Sequence, residues 1–423
     1  MGGWLPNAFS YNVMKPAIFL SIINFIFFIP VNAQIGFNII HDPGLPTNHI
    51  RDMIVDNDHI VGMGMAYADS SFSQQGLLLV KYDSSGNFIA SNLILDSLGD
   101  HLSIDLPWGK IIATIDGGYA MTCATFFRSS ALLIKVDDEL QVEFIKEYED
   151  TVNLSNYFYR IEEISDGYLL YGGIQRPNIY DDAFIRRVDK QGNQVWFGYF
   201  GPYNMEDVFV DLKKTSDTTF IAASVETINS NSGRSTLRIF DMDGNLLKSW
   251  ISAPNPKIGY LRKIIPIAGG GGYITYGVYV TEITPNGTKM VQSTLARLSA
   301  DFELLWVEHF GEIAPLGSFG FWDIEQTLDG YYVGAGQTAF VYPNDPDIST
   351  GWLLKFTEYG DMLWERQDMG PYPEHYLNNH YFSGVGVLSS GNIVAGGTAR
   401  KDNKQHIWLV KVTTDGCMDT ILC

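Results

Sequence analysis

The segment from Leu353 to Trp364 reads LLKFTEYGDMLW. Its mostly apolar start leads to Thr357, Gly360 follows three positions later, and Trp364 lies seven positions after Thr357. A Ser, Thr or Asp at the start of a turn caps it with a side-chain oxygen, and glycine supplies the positive φ that many tight turns need. The segment therefore predicts two antiparallel β-strands joined by a tight turn.

The same strand–turn–strand pattern occurs seven times along the chain. Its turns start at Asp83, Asp137, Asp189, Asp241, Ser299, Thr357 and Thr413, which lie 52 to 58 residues apart. An aromatic residue stands seven positions after the turn start at Phe144, Trp196, Trp306 and Trp364. A fixed period of this length indicates one supersecondary unit repeated in an array.

The first half of each unit also has the pattern strand, turn, strand. In one unit, DIEQTLDG at 323–330 is followed by YYVGAG at 331–336. Each unit then holds four short antiparallel strands, and about fifty residues per four-stranded unit is typical of a β-propeller blade. The sequence predicts an all-β, seven-bladed β-propeller. A β-sandwich is the weaker alternative, because its strands would not repeat with one pattern.

One position in the second strand of each unit is always small. It is occupied by Gly64, Cys123, Gly173, Ser224, Gly277, Gly336 and Gly397. We expect neighbouring sheets to approach closely there. We therefore interpret Cys123 as a buried small residue and not as a reactive thiol.

The two ends of the chain predict how the ring closes. The last unit has three strands and then almost no chain, whereas the apolar segment 35–40 precedes the first unit. We predict that this N-terminal strand is the fourth strand of the seventh blade. A disulfide between Cys417 and Cys423 would support this closure, because bridged Cα atoms lie within roughly 7 Å, whereas six steps of extended strand span about 20 Å.

The first 33 residues have the features of a signal peptide. Lys15 precedes the apolar stretch 17–29, and Pro30-Val31-Asn32-Ala33 ends on a small residue, as a signal-peptidase site does. We predict cleavage after Ala33, with Met14 as an alternative start, and a single propeller domain at 34–423. An uncleaved anchor is the alternative, although the thirteen residues of this almost wholly apolar stretch are fewer than the ~20 of a spanning helix.

Charge limits the partners of the chain. Lys and Arg total 28 and Asp and Glu total 48, so the formal net charge is −20. Such a chain repels phosphate backbones, which argues against nucleic-acid binding. No segment beyond residue 33 is apolar enough to span a membrane. We expect a monomer that is secreted or at the cell surface, with the periplasm as a further location.

No cofactor or metal site is predicted. His375 and His380 lie in one loop beside Glu374, but a spacing of five in a loop is weak evidence for a metal site. The acidic pairs Glu206-Asp207 and Asp181-Asp182 are not ready acid–base pairs either, because adjacent residues in a strand point to opposite sides.

The repeat resembles that of a known group of proteins. The hairpin Asp116-Gly117-Gly118-Tyr119, the run Leu79-Val80-Lys81-Tyr82-Asp83 with Gly86, and the later Trp are similar to the repeat of secreted bacterial β-propeller proteins. Many of these carry a type IX secretion C-terminal sorting domain, which we do not find before Cys423, so we expect a longer chain or another export route. The resemblance implies fold and export and leaves the biochemical role open.

Loop lengths predict where a ligand binds. Antiparallel order places two sets of tight turns on one face of the disc and two sets of longer, variable loops on the other. Variable loops on a rigid scaffold commonly carry binding specificity. The starts of the inner strands should ring the central channel beneath this long-loop face. They carry Asp52, Lys110, Arg160, Asp211, Lys263 and Asp323, with Gly384 in the seventh unit.

Aromatic residues on the same face add to this prediction. Trp322, Tyr381 and Tyr159 have flat rings with polar edges, which suit stacking on sugars or peptides. We predict a glycan or protein ligand that contacts these aromatics and the charged ring. The alternative is that the ring charges pair with one another and that the aromatics pack between blades.

The sequence favours a binding or scaffold module at the cell surface or in the periplasm. It shows no catalytic motif. The alternative is a propeller enzyme, of the polysaccharide lyase, glycosidase or quinoprotein type, with its site at the channel mouth. A structural repeat module of a larger secreted assembly is a third hypothesis.

Overall fold

The computed structural model describes most of the chain beyond its first 35 residues. The described ranges are 36–104, 109–149, 155–175, 181–201, 205–229, 232–254, 256–315, 320–339, 349–368, 380–401 and 404–418. The predicted signal peptide lies outside them, so the prediction for 1–33 remains untested. Within the described residues, no helix has the length and hydropathy that a membrane crossing requires.

Seven antiparallel sheets form, and each is one blade. Blade 1 holds β2 (Asn48–Asp56), β3 (His59–Tyr67), β4 (Gln75–Tyr82) and β5 (Phe88–Ile94). Blade 2 holds β6 (Leu102–Ser103) and β7 (Ile111–Ala113), which both pair β8 (Tyr119–Thr125), then β9 (Ala131–Val136) and β10 (Val142–Tyr148). Blade 3 holds β11 (Ser155–Ile164), β12 (Gly167–Gln175), β13 (Asp181–Asp189) and β14 (Gln194–Tyr199).

The other four blades follow in chain order. Blade 4 holds β15 (Glu206–Lys214), β16 (Thr219–Asn229), β17 (Ser232–Asp241) and β18 (Leu246–Ile251). Blade 5 holds β19 (Tyr260–Pro266), β20 (Tyr273–Ile283), β21 (Lys289–Leu298) and β22 (Leu304–Pro315), with a 3₁₀ turn at Ala268–Gly270. Blade 6 holds β23 (Gly320–Gln326), β24 (Tyr332–Ala339), β25 (Ser349–Phe356) and β26 (Met362–Asp368). Blade 7 holds β27 (Tyr381–Val387), β28 (Ile393–Lys401), β29 (Lys404–Val412) and β1 (Phe37–His41).

The seven-bladed β-propeller with an N-terminal closing strand is therefore confirmed. In blade 7, β1 pairs antiparallel with β29, with Phe37 opposite Lys411 and His41 opposite Ile407. The ring is closed by hydrogen bonds between the two ends of the chain, which leaves blade 7 with the same four strands as its neighbours.

Apolar cores lie between neighbouring blades. Met63 of blade 1 and Met121 of blade 2 belong to one buried cluster, and Tyr276 of blade 5 and Phe321 of blade 6 belong to another. Burial of apolar surface between sheets is the main favourable contribution to folding. Each blade is therefore stabilised by its neighbours.

The tryptophan of the repeat ties its blade to the next one. The indole N–H of Trp196 donates to Met242 O at 2.9 Å, and that of Trp306 donates to Glu358 O at 2.9 Å. Trp364 donates to Thr414 O at 3.0 Å. Each acceptor is the second residue of the next blade's tight turn, so the turn and the tryptophan recur together because they bind each other.

The turn glycine also serves this contact. Gly360 has φ of 90°, which favours glycine. A Cβ on Gly360 would lie 3.2 Å from the ring of Trp306, so the glycine lets the turn lie close to the preceding blade's indole.

A bulge recurs in the inner strand of the blades. The register shifts by one residue at Arg51, Tyr159, Val210, Arg262, Trp322 and Ser383. A bulge bends a strand and re-aims its side chains. The charged residues predicted for the channel come directly after these bulges.

The bulge corrects one sequence interpretation. The small position of the second strand was expected to allow close approach of a neighbouring sheet. Instead, a Cβ on Gly64 would lie 1.6 Å from His49 O, and one on Gly336 would lie 2.0 Å from Gly320 O. A larger side chain at this position would therefore clash with the bulged inner strand of the same blade, and not with a neighbouring sheet.

In blade 3, the position that requires a small residue lies one residue earlier than predicted. Gly172, and not Gly173, lies opposite Phe158 before the bulge, and its Cβ would lie 2.0 Å from Tyr157 O. Blade 3 has two consecutive glycines, so the sequence could not distinguish the constrained one.

Replacing Trp306 with Phe should lower the free energy of unfolding by about 1 kcal/mol, because one partly buried hydrogen bond to Glu358 O is lost while an aromatic ring is kept. Urea unfolding measures this change. Trp250→Phe is the matched control, because the Trp250 indole has no hydrogen bond among the described residues. Equal losses for both variants would contradict the role of the Trp306 indole N–H.

The cysteines test the predicted closure chemically. Cys123 is buried and has a free thiol. Cys423 lies outside the described residues, so its pairing with Cys417 stays a prediction. Alkylation of the denatured, unreduced protein spanning residues 34–423 should label one thiol, and intact mass spectrometry counts the labels. Three labels would show that the bridge is absent.

Candidate functional site

The six charged residues predicted for the channel lie together in the structure. Each follows the bulge or, in blade 2, the equivalent point of its inner strand. All of them are buried: Asp52, Lys110, Arg160, Asp211, Lys263 and Asp323. Gly384 holds this position in blade 7, where a Cβ would lie 2.8 Å from Met53 N of blade 1. We call the six charged residues the ring.

The ring side chains point to a common centre. Burial alone lowers the pKa of Lys110, but the carboxylates of Asp323 and Asp52 outweigh it and raise this pKa. Asp323 belongs to blade 6 and Lys110 to blade 2, which are not neighbours. Their charges influence each other because the inner strands surround one narrow channel.

The carboxylates of the ring connect neighbouring blades. Asp52 accepts a hydrogen bond from the Ile111 N–H at 2.8 Å, and Asp211 accepts one from the Ile264 N–H at 2.9 Å. Asp323 similarly accepts one from the Val385 N–H. In each case the donor is the residue after the ring position of the next blade. These three carboxylates therefore satisfy buried backbone amides.

The cations of the ring pair with these carboxylates. Lys263 binds Asp323 and also donates to Ile324 O at 2.6 Å. Lys110 lies 3.4 Å from Asp52, and the guanidinium of Arg160 lies 3.7 Å from Asp211. Burial opposes ionisation of Asp323, yet the nearby cations hold its pKa well below the usual range. The geometry favours mutual pairing over direct ligand contact for most of the ring.

The bulge residues form a second layer on the long-loop side of the ring. Arg51 donates to the Tyr381 hydroxyl at 2.9 Å, and the guanidinium of Arg262 lies 5.2 Å from the centre of the Trp322 ring. Trp322 and Tyr381, both predicted on this face, are therefore placed at the channel mouth. A cavity of about 10 Å³ lies between this layer and the ring.

A larger cavity opens beside the channel, between blades 2 and 3. Its volume is about 490 Å³. Among the described residues, its lining comprises Ser103, Ile104, Gly109, Cys123, Ala124, Thr125, Phe126, Tyr157, Phe158 and Tyr159. We call it the aromatic cavity. Gly109 also lines the small cavity at the channel mouth, so the two spaces adjoin.

Three exposed phenylalanine side chains belong to an aromatic surface that begins at the cavity: Phe126 lines the cavity, and Phe72 is linked to Phe127 through Tyr67 and His101. Phe72 is 53%, Phe126 is 63% and Phe127 is 72% exposed. The rings of Phe126 and Phe127 contact each other, with centroids 5.2 Å apart, and Phe127 also contacts His101. Large exposed apolar groups that cluster in this way commonly mark an interaction site.

Buried polar groups hold this aromatic surface in place. Asp100 is buried and accepts hydrogen bonds from the N–H groups of Phe127 and Arg128, each at 3.0 Å. The Arg128 side chain pairs with Asp96 at 2.9 Å and with Glu147 at 3.1 Å. The loop that carries Phe126 and Phe127 is thus fixed by hydrogen bonds and ion pairs within the protein itself.

Phe72 has an unusual backbone conformation. Its φ is 56°, a region that bulky residues rarely adopt. The loop around it is fixed by Asp69, which accepts hydrogen bonds from the Ser71 N–H and the Ser73 hydroxyl. Strained residues held by their surroundings cluster at functional sites.

Sequence reasoning missed Phe126, Phe127 and Tyr157. They lie near the ends of the short loop after β8 and at the start of β11, whereas the prediction considered the longer loops. A signal was present, because two adjacent phenylalanines beside a turn are hard to reconcile with a solvated loop.

A pair of buried carboxylates lies on the same face, between blades 3 and 4. Asp182 and Asp207 are each at most 1% exposed. Burial raises the pKa of Asp207 to about 7, and the charge of Asp182 adds to this rise. A Cβ on Gly201 would lie 1.6 Å from Asp207 Oδ2, so the backbone covers this carboxyl group.

Asp207 has a structural counterpart in other blades. It accepts the Ala183 N–H at 2.9 Å, as Asn156 accepts the Ala131 N–H at 2.7 Å one blade earlier. A raised pKa in a carboxyl group can mark a general acid. Here the backbone at Gly201 covers the Asp207 carboxyl group, and the hydrogen bond to Ala183 has a counterpart in the preceding blade. Both observations indicate a structural role for Asp207.

One of the two histidines of the weak metal-site candidate lies among the described residues. His375 lies outside the described residues. His380 is buried against the Trp408 ring, and burial lowers its pKa to about 4. Within the described ranges, no group of three or more His, Cys, Asp or Glu side chains is placed to hold a metal ion.

Comparisons with known proteins support the fold but do not identify an activity. No protein-family model matches the chain, and no curated protein matches it significantly. Among solved structures it is similar to puromycin hydrolase, with a TM-score of 0.53 and 9% identity, over 91% of this chain and 56% of that one. The chain thus spans about half the length of that enzyme.

Weaker likenesses extend to other propellers. Drosophila Plexin A in complex with Semaphorin 1b has a TM-score of 0.46 at 10% identity, covering 90% of this chain and 86% of that one. Trypanosoma rangeli sialidase in complex with sialic acid has a TM-score of 0.42 at 10% identity, covering 88% and 56%. At these TM-scores and identities, the two likenesses say nothing about the role of this chain.

Asp207→Asn should stabilise the protein at pH 8 and not at pH 4. A carboxyl group whose pKa is raised on folding contributes stability below its unfolded pKa, near 3.8, and loses it as the pH rises through about 7. Asn keeps the acceptor for Ala183 without the buried charge, so we expect a gain on the order of 2 kcal/mol at pH 8.

Urea unfolding at both pH values measures this gain. Glu206→Gln is the matched control, because Glu206 is the exposed neighbour of Asp207 on the same strand. An equal effect of Asp207→Asn at pH 4 and pH 8 would show that Asp207 is not the titrating group.

Proposed function

We propose that this protein is a binding module that holds an apolar side chain of a peptide or protein ligand in the aromatic cavity. The observation that carries the proposal is the cavity itself, with exposed Phe126 and Phe127 at its edge. Its volume of about 490 Å³ lies within the 300–1,000 Å³ typical of ligand pockets. Rigid aromatic rings around a pocket supply contact area at low entropic cost.

A peptide fits this surface better than a sugar does. The exposed rings at the cavity edge belong to Phe126 and Phe127, which have no polar edge for sugar hydroxyls. Binding hot spots typically consist of an apolar anchor in a well-packed pocket. The aromatic cavity provides such a pocket, and the fixed loop of Phe127 reduces the entropy lost on binding.

We place the mature protein outside the inner membrane, secreted or at the cell surface, and as a monomer. The apolar stretch 17–29 followed by Ala33 and the net charge of −20 support export and solubility. The resemblance to secreted propeller repeats points the same way.

An enzyme at the channel mouth is the second candidate. The ring carboxylates could serve as acids or bases only if they were released from their present contacts, because Asp52 and Asp323 each accept a backbone N–H and pair with a lysine. The likeness to puromycin hydrolase shows the fold alone. The geometry therefore supports binding more strongly than catalysis.

Removing the exposed rings should weaken ligand binding at least tenfold. A phage-displayed peptide library can be panned on the mature protein, with counter-selection on the double variant Phe126→Ala/Phe127→Ala. We expect selected peptides to share an apolar residue and to lose affinity for the double variant, measured by biolayer interferometry. A loss of two large hydrophobic contacts has this magnitude.

Tyr359→Ala is the matched control. Tyr359 is 71% exposed in a tight turn on the opposite face, so its removal should leave peptide binding unchanged. Peptides that bind wild type and the double variant equally would contradict the proposal. Binding on a glycan array that is lost in the double variant would instead assign a glycan to the same cavity.

A further inference from the structure

The channel mouth holds more cationic groups than its carboxylates neutralise. Among the described residues, three cations and two carboxylates line the small cavity, which gives them a summed charge of 3 − 2 = +1 in a chain of net charge −20. The cations are Arg51, Lys110 and Arg160, and the carboxylates are Asp52 and Asp323.

The two carboxylates are already occupied. Asp52 binds Lys110 and the Ile111 N–H. Asp323 binds Lys263, which lies on the adjacent blade, and the Val385 N–H. Neither carboxylate pairs with Arg51, and no described acidic residue lies within ion-pair distance of it.

Two buried donors at this cavity have no acceptor. Arg160 is 5% exposed and Trp322 is 8% exposed, yet the Arg160 Nε and the Trp322 Nε1 have no hydrogen-bond partner among the described residues. The Arg51 Nε is also without one. A buried donor without an acceptor costs about 1–3 kcal/mol, so the cavity favours an occupant that accepts hydrogen bonds.

We propose that the channel mouth binds a carboxylate group, with one oxygen in the small cavity against Arg160 and Trp322 and the other toward Arg51. The cavity volume of about 10 Å³ suits a single oxygen. Guanidinium groups bind carboxylates through charge-assisted hydrogen bonds. The positive local charge distinguishes this occupant from a neutral hydroxyl group.

The carboxylate site at the channel mouth extends the proposed function. The identification of its ligand as a peptide rests on that proposed function. Gly109 lines both the small cavity and the aromatic cavity, and Tyr159 of the aromatic cavity precedes Arg160 in β11. One ligand could therefore place an apolar side chain in one space and a carboxylate in the other. A peptide with an apolar residue at its C-terminus carries both groups close together.

Matched small ligands separate the two sites. We would measure the binding of N-acetyl-phenylalanine, its carboxamide, acetate and glucuronate to the mature protein by isothermal titration calorimetry. Constant ionic strength is needed, because salt screens exposed charges. We expect the acid to bind at least fivefold tighter than the carboxamide, and acetate to bind weakly.

Variants test whether the channel mouth causes the difference in affinity between the acid and the carboxamide. Trp322→Phe removes one donor and keeps an aromatic ring, and Arg51→Gln removes the positive charge. Each should reduce the acid–amide ratio to about one without changing carboxamide binding. Arg400→Gln is the control, because Arg400 is exposed at the end of β28 and should leave the ratio unchanged. Melting temperatures verify that each variant is folded.

The outcomes distinguish this inference from the proposed function. Equal binding of acid and carboxamide overturns the carboxylate site and leaves the aromatic cavity supported. Acetate binding without carboxamide binding supports the site and contradicts the aromatic cavity as a peptide pocket. Glucuronate binding tighter than N-acetyl-phenylalanine supports the site with an acidic sugar as its source. An unchanged ratio in both channel-mouth variants overturns the assignment.

Discussion

The propeller depends on side chains that accept a backbone N–H from the inner strand of the next blade, just beyond its ring position. Three ring carboxylates accept such donors from the next blade, as Asp52 does for Ile111. Where blade 3 carries Arg160 instead, the Tyr171 hydroxyl accepts the Leu212 N–H at 2.9 Å. Buried backbone N–H groups need hydrogen-bond acceptors. The main role of the ring carboxylates is therefore to connect neighbouring blades. The tryptophans connect the same blades farther out, and the two layers together hold the disc rigid around its channel.

The sequence was sufficient to predict the architecture, because its repeat records contacts that every blade makes. The turn glycine and the following tryptophan recur together since one lies against the other in the next blade, as Gly360 and Trp306 do. The N-terminal strand could be assigned by counting strands. The bulge could not be predicted, because it depends on register between strands. Without it, the small position appeared to mark contact between sheets, and blade 3 was assigned to Gly173 instead of Gly172.

The candidate site was predicted only in part. Period and strand order placed the six charged residues together, but which cation pairs with which carboxylate follows from three-dimensional distances that a repeat does not encode. The aromatic cavity was missed because blade 2 departs from the repeat. Its inner strand is described as two short pieces, β6 and β7, and the space beside them is lined by Phe126 and Tyr159. The candidate ligand cavity therefore lies where blade 2 departs from the repeat.

The long-loop face thus combines a rigid aromatic surface with an excess of positive charge at the channel mouth, in a chain that is otherwise strongly acidic. The most direct test of this account is a crystal structure of the mature protein with saturating N-acetyl-phenylalanine. The account predicts the phenyl ring in the cavity beside Tyr159 and the carboxylate against Arg160 and Trp322. A ligand bound on the tight-turn face, for example beside exposed Leu328, with the aromatic cavity empty, would contradict it.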